Sequence, residues 1–250
     1  PGAADVEALL DLQYVKREHV IGAFRIDTLA YDPRTKAFVV VEYKKDKNFS
    51  VIDQGYTYLS LLLNNKADFV LEYNEHKNAG MRKADVDWTQ SRVIFVSPSY
   101  TPYQRESINF RDLPIELWEI KRFVDGLISF SRIQNAKSSE SIKTLSSTTP
   151  AIETVTKEIK VYGEEEHLAG KPEGIVELYN LLRNRIVELG DVQVRPTKLY
   201  IGFVGNGNFC DAHIQRGSIK LWINVPPDRL HDPLKIARDV SQVGHWGNGD

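Results

Sequence analysis

Asp27, Glu42, Lys44 and Gln54 carry side chains that can do chemistry, and their spacing places two acids and a base on one face of a predicted β-hairpin. The segment reads Phe24-Arg-Ile-Asp27-Thr-Leu-Ala30, then the polar, Pro-containing Tyr31-Asp-Pro-Arg-Thr-Lys36, then Ala37-Phe-Val-Val-Val-Glu-Tyr-Lys44. Two apolar, β-branched runs around such a turn predict a hairpin. A four-residue loop at 33–36 pairs 32 with 37, 29 with 40 and 27 with 42, so that Asp27 faces Glu42. Opposed residues bring their Cβ atoms to roughly 5 Å, where two carboxylates repel unless a positive charge lies between them. A divalent cation is the natural candidate. The period of two puts Val40, Glu42 and Lys44 on one face and Val41 and Tyr43 on the other, so Lys44 lies one step beyond the acids, within reach of a water at the cation. The combination suits metal-assisted hydrolysis of a phosphodiester.

Glu-x-Lys is a common pair and occurs four times, at Glu42/Lys44, Glu75/Lys77, Glu119/Lys121 and Glu158/Lys160, and alone it reads as solvated charge. Only the first follows a run apolar on both faces, Phe38 to Val41, and only it has an Asp fifteen positions upstream on a strand-like segment. Those two features single it out as a buried strand with a partner acid.

The elements that position these groups continue downstream. Ser50-Val-Ile-Asp53 predicts the N-terminus of a helix running to about Leu63, with Gln54 and Tyr58 at i and i+4 on one face. A Gln amide can bond a carboxylate, a phosphate or a water, and a Tyr hydroxyl can bond a phosphate oxygen. Packing of an amphipathic helix accounts for Tyr58 equally well.

Together Arg-Ile-Asp27, Val-Val-Val-Glu42-Tyr-Lys44 and Gln54-Gly-Tyr-Thr-Tyr58 resemble the PD-(D/E)xK nuclease superfamily, in the branch shared by RecB-type nuclease domains and the NucS endonucleases. The resemblance implies that Asp27 and Glu42 bind Mg²⁺ or Mn²⁺, that Lys44 positions or activates the attacking water, and that Gln54 organises the site. It also implies DNA as the partner and an endonuclease more than an exonuclease; the alternative is a nucleic-acid-binding or sensing protein that keeps the nuclease fold without turnover. Ile26 stands where the nominal first motif has Pro. Many members carry a further Glu on a helix before the first motif strand, and Glu7 is the candidate here. The segments 26–63, Asp85-Val-Asp-Trp88, 92–96 and 115–128 resemble a wider group of bacterial proteins. That group joins such a domain to a C-terminal domain of unknown function, sometimes labelled a predicted transport protein.

The implied fold class is α/β: a restriction-endonuclease-like mixed sheet flanked by helices over residues 1–130, followed by a smaller α+β domain with antiparallel strands over 157–250. Between them, residues 131–156 are rich in Ser and Thr and poor in aromatics, a linker by composition. In the C-terminal part, Gly174 to Leu189 predicts a helix ending at Gly190. Strands follow at 199–204, 208–214 and 218–225, joined by turns at Gly205-Asn-Gly207 and Arg216-Gly217. Gly205-Asn-Gly207 sits between strands and reads as a hairpin turn more than a phosphate loop.

With 250 residues and 42% hydrophobic content the chain can bury two modest cores. No apolar run reaches the roughly 20 residues of a membrane span and no signal-peptide pattern opens it, so a cytoplasmic protein with no membrane partner is expected. Cys210, the only cysteine, permits no internal disulfide. A formal net charge of -2, with 17 Lys and Arg against 19 Asp and Glu in residues 1–130, requires any attraction for phosphate to be local. Arg25, Lys44, Lys45 and Lys47 offer one such patch, with Arg25, Lys45 and Tyr58 as substrate-binding candidates; Arg82 and Lys83 offer another. In the C-terminal domain His213, His231 and His245 are too widely spaced for a recognisable metal motif. There Arg195, Lys198, Tyr200 and Trp222 form either a basic, aromatic surface for single strands or, for the two aromatics, part of the core. A homodimer, and a protein partner bound through the C-terminal domain, complete the expectations.

Overall fold

The computed structural model describes residues 9–45, 49–124, 127–134, 140–142, 150–205, 207–240 and 243. Glu7, Lys47 and His245 lie outside them. The chain divides into two compact units, Pro1–Val161 and Tyr162–Asp250.

Strand propensity and hairpin turns build one side of the first unit's sheet. β1 (Gln13–Ile21) turns through Gly22, whose φ of 55° suits a two-residue hairpin loop, into β2 (Phe24–Asp32), and β2 pairs antiparallel with β3 (Ala37–Tyr43). The expected register holds at Asp32 with Ala37 and Leu29 with Val40. Helix α1 (Val51–Asn64) then carries the chain over the sheet, and α2 (Lys66–Lys77) follows at once. β4 (Arg92–Ser97) lies parallel to β3 and is followed by α3 (Pro102–Ser107). β5 (Ile115–Arg122) lies parallel to β4, and β6 (Ile128–Arg132) closes the sheet antiparallel to β5. The result is a six-stranded mixed sheet in the order β1-β2-β3-β4-β5-β6, flanked by helices.

Both faces of its centre are apolar because β3 and β4 are covered on both sides. On one face Leu29, Phe38, Val40 and Phe95 meet Tyr56, Leu59 and Leu62 of α1 and Phe69 of α2; on the other, Ala30, Val39, Val41, Ile94, Val96 and Trp118 meet Leu10 and Leu12. Leu59 and Leu62 are fully buried, each contributing about 2 kcal/mol of transfer free energy. The Ser50 hydroxyl caps α1 by accepting from the Asp53 N–H at 3.3 Å.

Part of the Ser/Thr-rich stretch 131–156 has regular structure. Arg132 ends β6, and Pro150–Glu158 forms helix α4, which buries Ile152 and Val155 in the first unit's core. Apolar residues three apart in Ile152-x-x-Val155, carried on to Ile159, supply one helical face inside a segment that is otherwise polar.

The second unit contains α5 (Glu164–Leu168), α6 (Glu173–Val187), β7 (Gln193–Pro196), β8 (Ile201–Gly205), β9 (Gly207–Ile214) and β10 (Ile219–Ile223). The strands form an antiparallel sheet in the order β10-β9-β8-β7. Tyr179 and Ile186 of α6 pack on Ile201, Phe203, Cys210, Ala212 and Ile214. Among the described residues no helix is long and apolar enough to cross a membrane.

Candidate active site

Where β2 and β3 part, the two acids take over the work of the ladder. Backbone pairing of the strands stops at Thr28 with Val41, one residue short of the expected pair of 27 with 42. The Asp27 N–H donates instead to Oε1 of Glu42 at 2.9 Å, and the Tyr43 N–H donates to Oδ2 of Asp27 at 3.0 Å. Each carboxylate therefore satisfies a main-chain donor beside the other acid, which holds both at the fork of the hairpin.

β1 is distorted at the same level. Its ladder with β2 runs from Arg17 with Thr28 to His19 with Ile26, and the intervening Glu18, opposite Asp27, has a φ of 51°. A left-handed Glu within a strand costs on the order of 1 kcal/mol, the kind of local strain that gathers at functional positions. Sequence gave no sign of it, since neither Gly nor Asn marks the spot.

Glu42 is the centre of the cluster and is almost completely buried, 2% exposed. Burial pushes its carboxyl above the usual range; the Asp27 N–H bond opposes this, the nearby Asp27 charge reinforces it, and Lys44 and a Tyr58 hydrogen bond lower it again. The Lys44 ammonium sits 3.3 Å from Oε2 of Glu42. It also lies 5.5 Å from the ring centre of Phe49 and 5.8 Å from that of Phe95, so two aromatic faces confine it on one side. Its main chain is fixed too, because Lys44 N donates to Val96 O at 2.8 Å across the parallel strands. The Gln104 side chain, which also caps α3, donates to Phe49 O at 3.2 Å and so anchors the loop that carries Phe49.

α1 brings Tyr58 to Glu42, and burial together with the Glu42 charge raises the phenol well above its ordinary range, so the hydroxyl stays protonated and donates. One turn earlier on the helix, Oε1 of Gln54 is buried and has no hydrogen-bond partner among the described residues. α1 can lie this close because residue 55 is Gly: a Cβ there would stand 2.3 Å from Cδ1 of Ile115. A glycine inside an apolar helical pattern was the available signal for that approach.

Asp27, Glu42, Lys44 and Tyr58 are thus brought together, with Gln54 on the same helix face as Tyr58. Arg25 is not part of the cluster. It is largely exposed, with Glu18 Oε1 at 4.0 Å. Lys45 is exposed. It lies beside an apolar cavity of about 360 Å³ on the sheet's other face, lined also by Leu10, Tyr43, Val96, Ile120 and Phe130. In the second expected basic patch, Arg82 is bound by Asp85 at 2.8 Å.

The donors present suit a hard cation. Two carboxylates and an unsatisfied buried amide oxygen are all oxygen ligands, and Mg²⁺ is commonly held by one or two protein carboxylates with waters completing its octahedron. Among the described residues no group of three His, Cys, Asp or Glu side chains could enclose a metal. Asp27 and Glu42 would supply only part of such a cation's coordination shell.

Residues 164–250 match the family model described as a domain of unknown function, DUF5655. An uncharacterized protein of Haemophilus influenzae is 47% identical over 238 residues, covering 95% of this chain and 79% of the relative. The structure of Pyrococcus furiosus SfsA in complex with Ca²⁺ aligns with 53% of this chain at 16% identity and a TM-score of 0.27, and the match spans 57% of that protein. That last likeness is too slight to assign anything here.

Proposed function

The chain belongs to the same family as the Haemophilus influenzae protein, and we propose that this member is a metal-dependent nuclease that hydrolyses phosphodiester bonds in DNA. The observation that carries the reading is the reciprocal fixing of Asp27 and Glu42 at the hairpin fork with the Lys44 ammonium 3.3 Å from Glu42. Two like charges, one of them buried, are costly to hold together unless a cation joins them. The motif pattern of the PD-(D/E)xK superfamily falls on the same residues.

Bound at Asp27 and Glu42, Mg²⁺ or Mn²⁺ would neutralise the charge that builds on the phosphate during in-line attack by water. Every other role belongs to the chain. Asp27 and Glu42 hold the cation through oxygens whose positions the backbone already fixes. Lys44 directs an N–H at Glu42 and has two further donors for a water or a phosphoryl oxygen. Phe49 and Phe95 exclude solvent from one side of that ammonium. Tyr58 keeps Glu42 oriented and charged by donating to it. Gln54 Oε1 offers one more acceptor to the cation or to its water.

The test is cleavage of fluorescent single-stranded, duplex and branched DNA with Mg²⁺ or Mn²⁺, run beside Asp27→Ala and a chelator control. Products that need the metal and vanish in the variant establish the activity and its substrate geometry. Cleavage that persists in Asp27→Ala, or metal-replete protein that cleaves none of the three, would refute it.

A further inference from the structure

β9 of the second unit turns alternate residues to opposite faces. Cys210, Ala212 and Ile214 pack with α6, so Asp211 and His213 lie on the face turned away from that helix. The register sets them beside Trp222 and Lys220 of β10. The rings of His213 and Trp222 are 6.3 Å apart and inclined by 31°. Trp222 and His213 are half-buried and Lys220 is exposed. At the same end of β9, Lys171 Nζ donates to Ile214 O at 2.8 Å, and the His167 ring lies 2.7 Å from Thr197 O.

Basic groups thereby converge. His213 is held below its ordinary range first by burial and then by Lys171, His167 and Lys220, all of them basic. Asp211, an acid on this face, is buried and has Asn208 Nδ2 at 3.1 Å from each carboxylate oxygen. The Lys171 and Lys220 ammonium groups both act on His213 and repel each other there, and a bound anion would relieve that repulsion. An aromatic ring at the edge of such a patch supplies what a nucleobase needs.

We propose that this face binds single-stranded DNA, with a base against the Trp222 ring and a backbone phosphate among Lys171, His213 and Lys220. The proposal rests on the nuclease reading only in naming DNA as the polyanion. The sequence pointed to Trp222 together with Arg195, Lys198 and Tyr200. The structure buries Tyr200, keeps Arg195 in the cross-strand row that runs through Gly202 and Asp211 to Trp222, and adds His213 beside Trp222 and Lys171 at Ile214.

The experiment is fluorescence anisotropy of a labelled oligo-dT strand with the full chain in EDTA, across a salt series. Lys220→Glu, an exposed substitution, should weaken binding about tenfold and reduce the slope of log affinity against log salt by about 1. Trp222→Leu should weaken binding by a similar factor. Unchanged affinity in both variants, or no binding by the parent chain at low salt, would overturn the proposal. Cleavage by the parent chain with Mg²⁺ is scored separately. Cleavage without binding in EDTA rejects this face alone, and binding without cleavage of any substrate rejects the nuclease alone.

Discussion

The Asp27 N–H donates to Oε1 of Glu42 at 2.9 Å, so the two acids are linked through a backbone bond as well as through the charge they share. The return bond from Tyr43 N–H to Oδ2 of Asp27 closes the arrangement at 3.0 Å. Carboxylates that oppose each other on rotatable side chains would swing apart. Here each is tied to a main-chain donor of the other's surroundings, so the backbone holds the pair in place. For the cation proposed above, such preorganisation would avoid ordering costs at the moment of binding.

Glu42 should make stability depend on pH and, on the nuclease reading, metal affinity as well, in the opposite sense. Its folded-state pKa is raised, chiefly by burial and further by Asp27, above the unfolded value near about 4.3. The folded chain therefore binds the proton more readily, and this contribution to stability is full below the unfolded pKa and lost as pH rises through the folded one. In a chelator, lowering the pH through that window should benefit the parent chain more than Glu42→Gln, as compared by thermal melting. Mg²⁺ requires the carboxylate, so its affinity should fall over the same window. Mg²⁺ titrations between about pH 8 and about pH 5 check this, and an affinity flat with pH would contradict it.

Lys44→Met should separate chemistry from folding. Methionine keeps an apolar contact with Phe49 and Phe95 but removes the ammonium from Glu42. Cleavage should fall by about 10²- to 10⁴-fold, the usual loss when a group acting on the attacking water is removed. Melting temperature should fall by no more than a few degrees, reflecting the counter-charge that Glu42 loses, with the chain still folded under assay conditions. A variant that cleaves normally would remove Lys44 from the mechanism.

Gly55→Ala tests whether the close approach of α1 to the sheet sets the site. The new Cβ would meet Ile115 at 2.3 and 2.9 Å, and Ile115 is itself buried. A net loss of about 1–2 kcal/mol is expected, overpacking exceeding the gain in helix propensity. Adding Ile115→Val removes Cδ1 and should restore much of the stability in denaturant melts. If Gly55→Ala alone is stabilising, the helix has room that the structure denies.

Much of this was legible beforehand because periodicity reports which side chains share a face. The hairpin loop at 33–36 fixed the β2–β3 register, Ser50 marked the start of α1, and the apolar run of β3 marked a strand covered on both sides. β1 was not foreseen, since Gln13–Ile21 mixes Lys16, Arg17, Glu18 and His19 into a strand whose alternation breaks at a bulge after Tyr14 and again at Glu18. Phe49 and Phe95 were unforeseen as neighbours of Lys44. They are 46 positions apart and meet only because β4 lies parallel to β3 while the chain entering α1 folds over it. Arg25 has Glu18 of the neighbouring strand at 4.0 Å, a contact that its proximity in sequence to Asp27 does not reveal.

Tyr58→Phe distinguishes a hydroxyl that tunes Glu42 from a ring that only fills space. The phenol is held protonated by burial and by the Glu42 charge, and its bond to Glu42 favours the ionised carboxylate. Phenylalanine keeps the ring and removes the donor, so the pKa of Glu42 should rise further. The acid limb of the cleavage profile should then move to higher pH, with activity several-fold down at the acid end and recovering where Glu42 is fully ionised. A ring that serves packing alone would give a loss independent of pH, or none. The full pH profile of Mg²⁺-dependent cleavage for the parent chain and Tyr58→Phe decides between them, and coincident profiles would leave Tyr58 with the packing role alone.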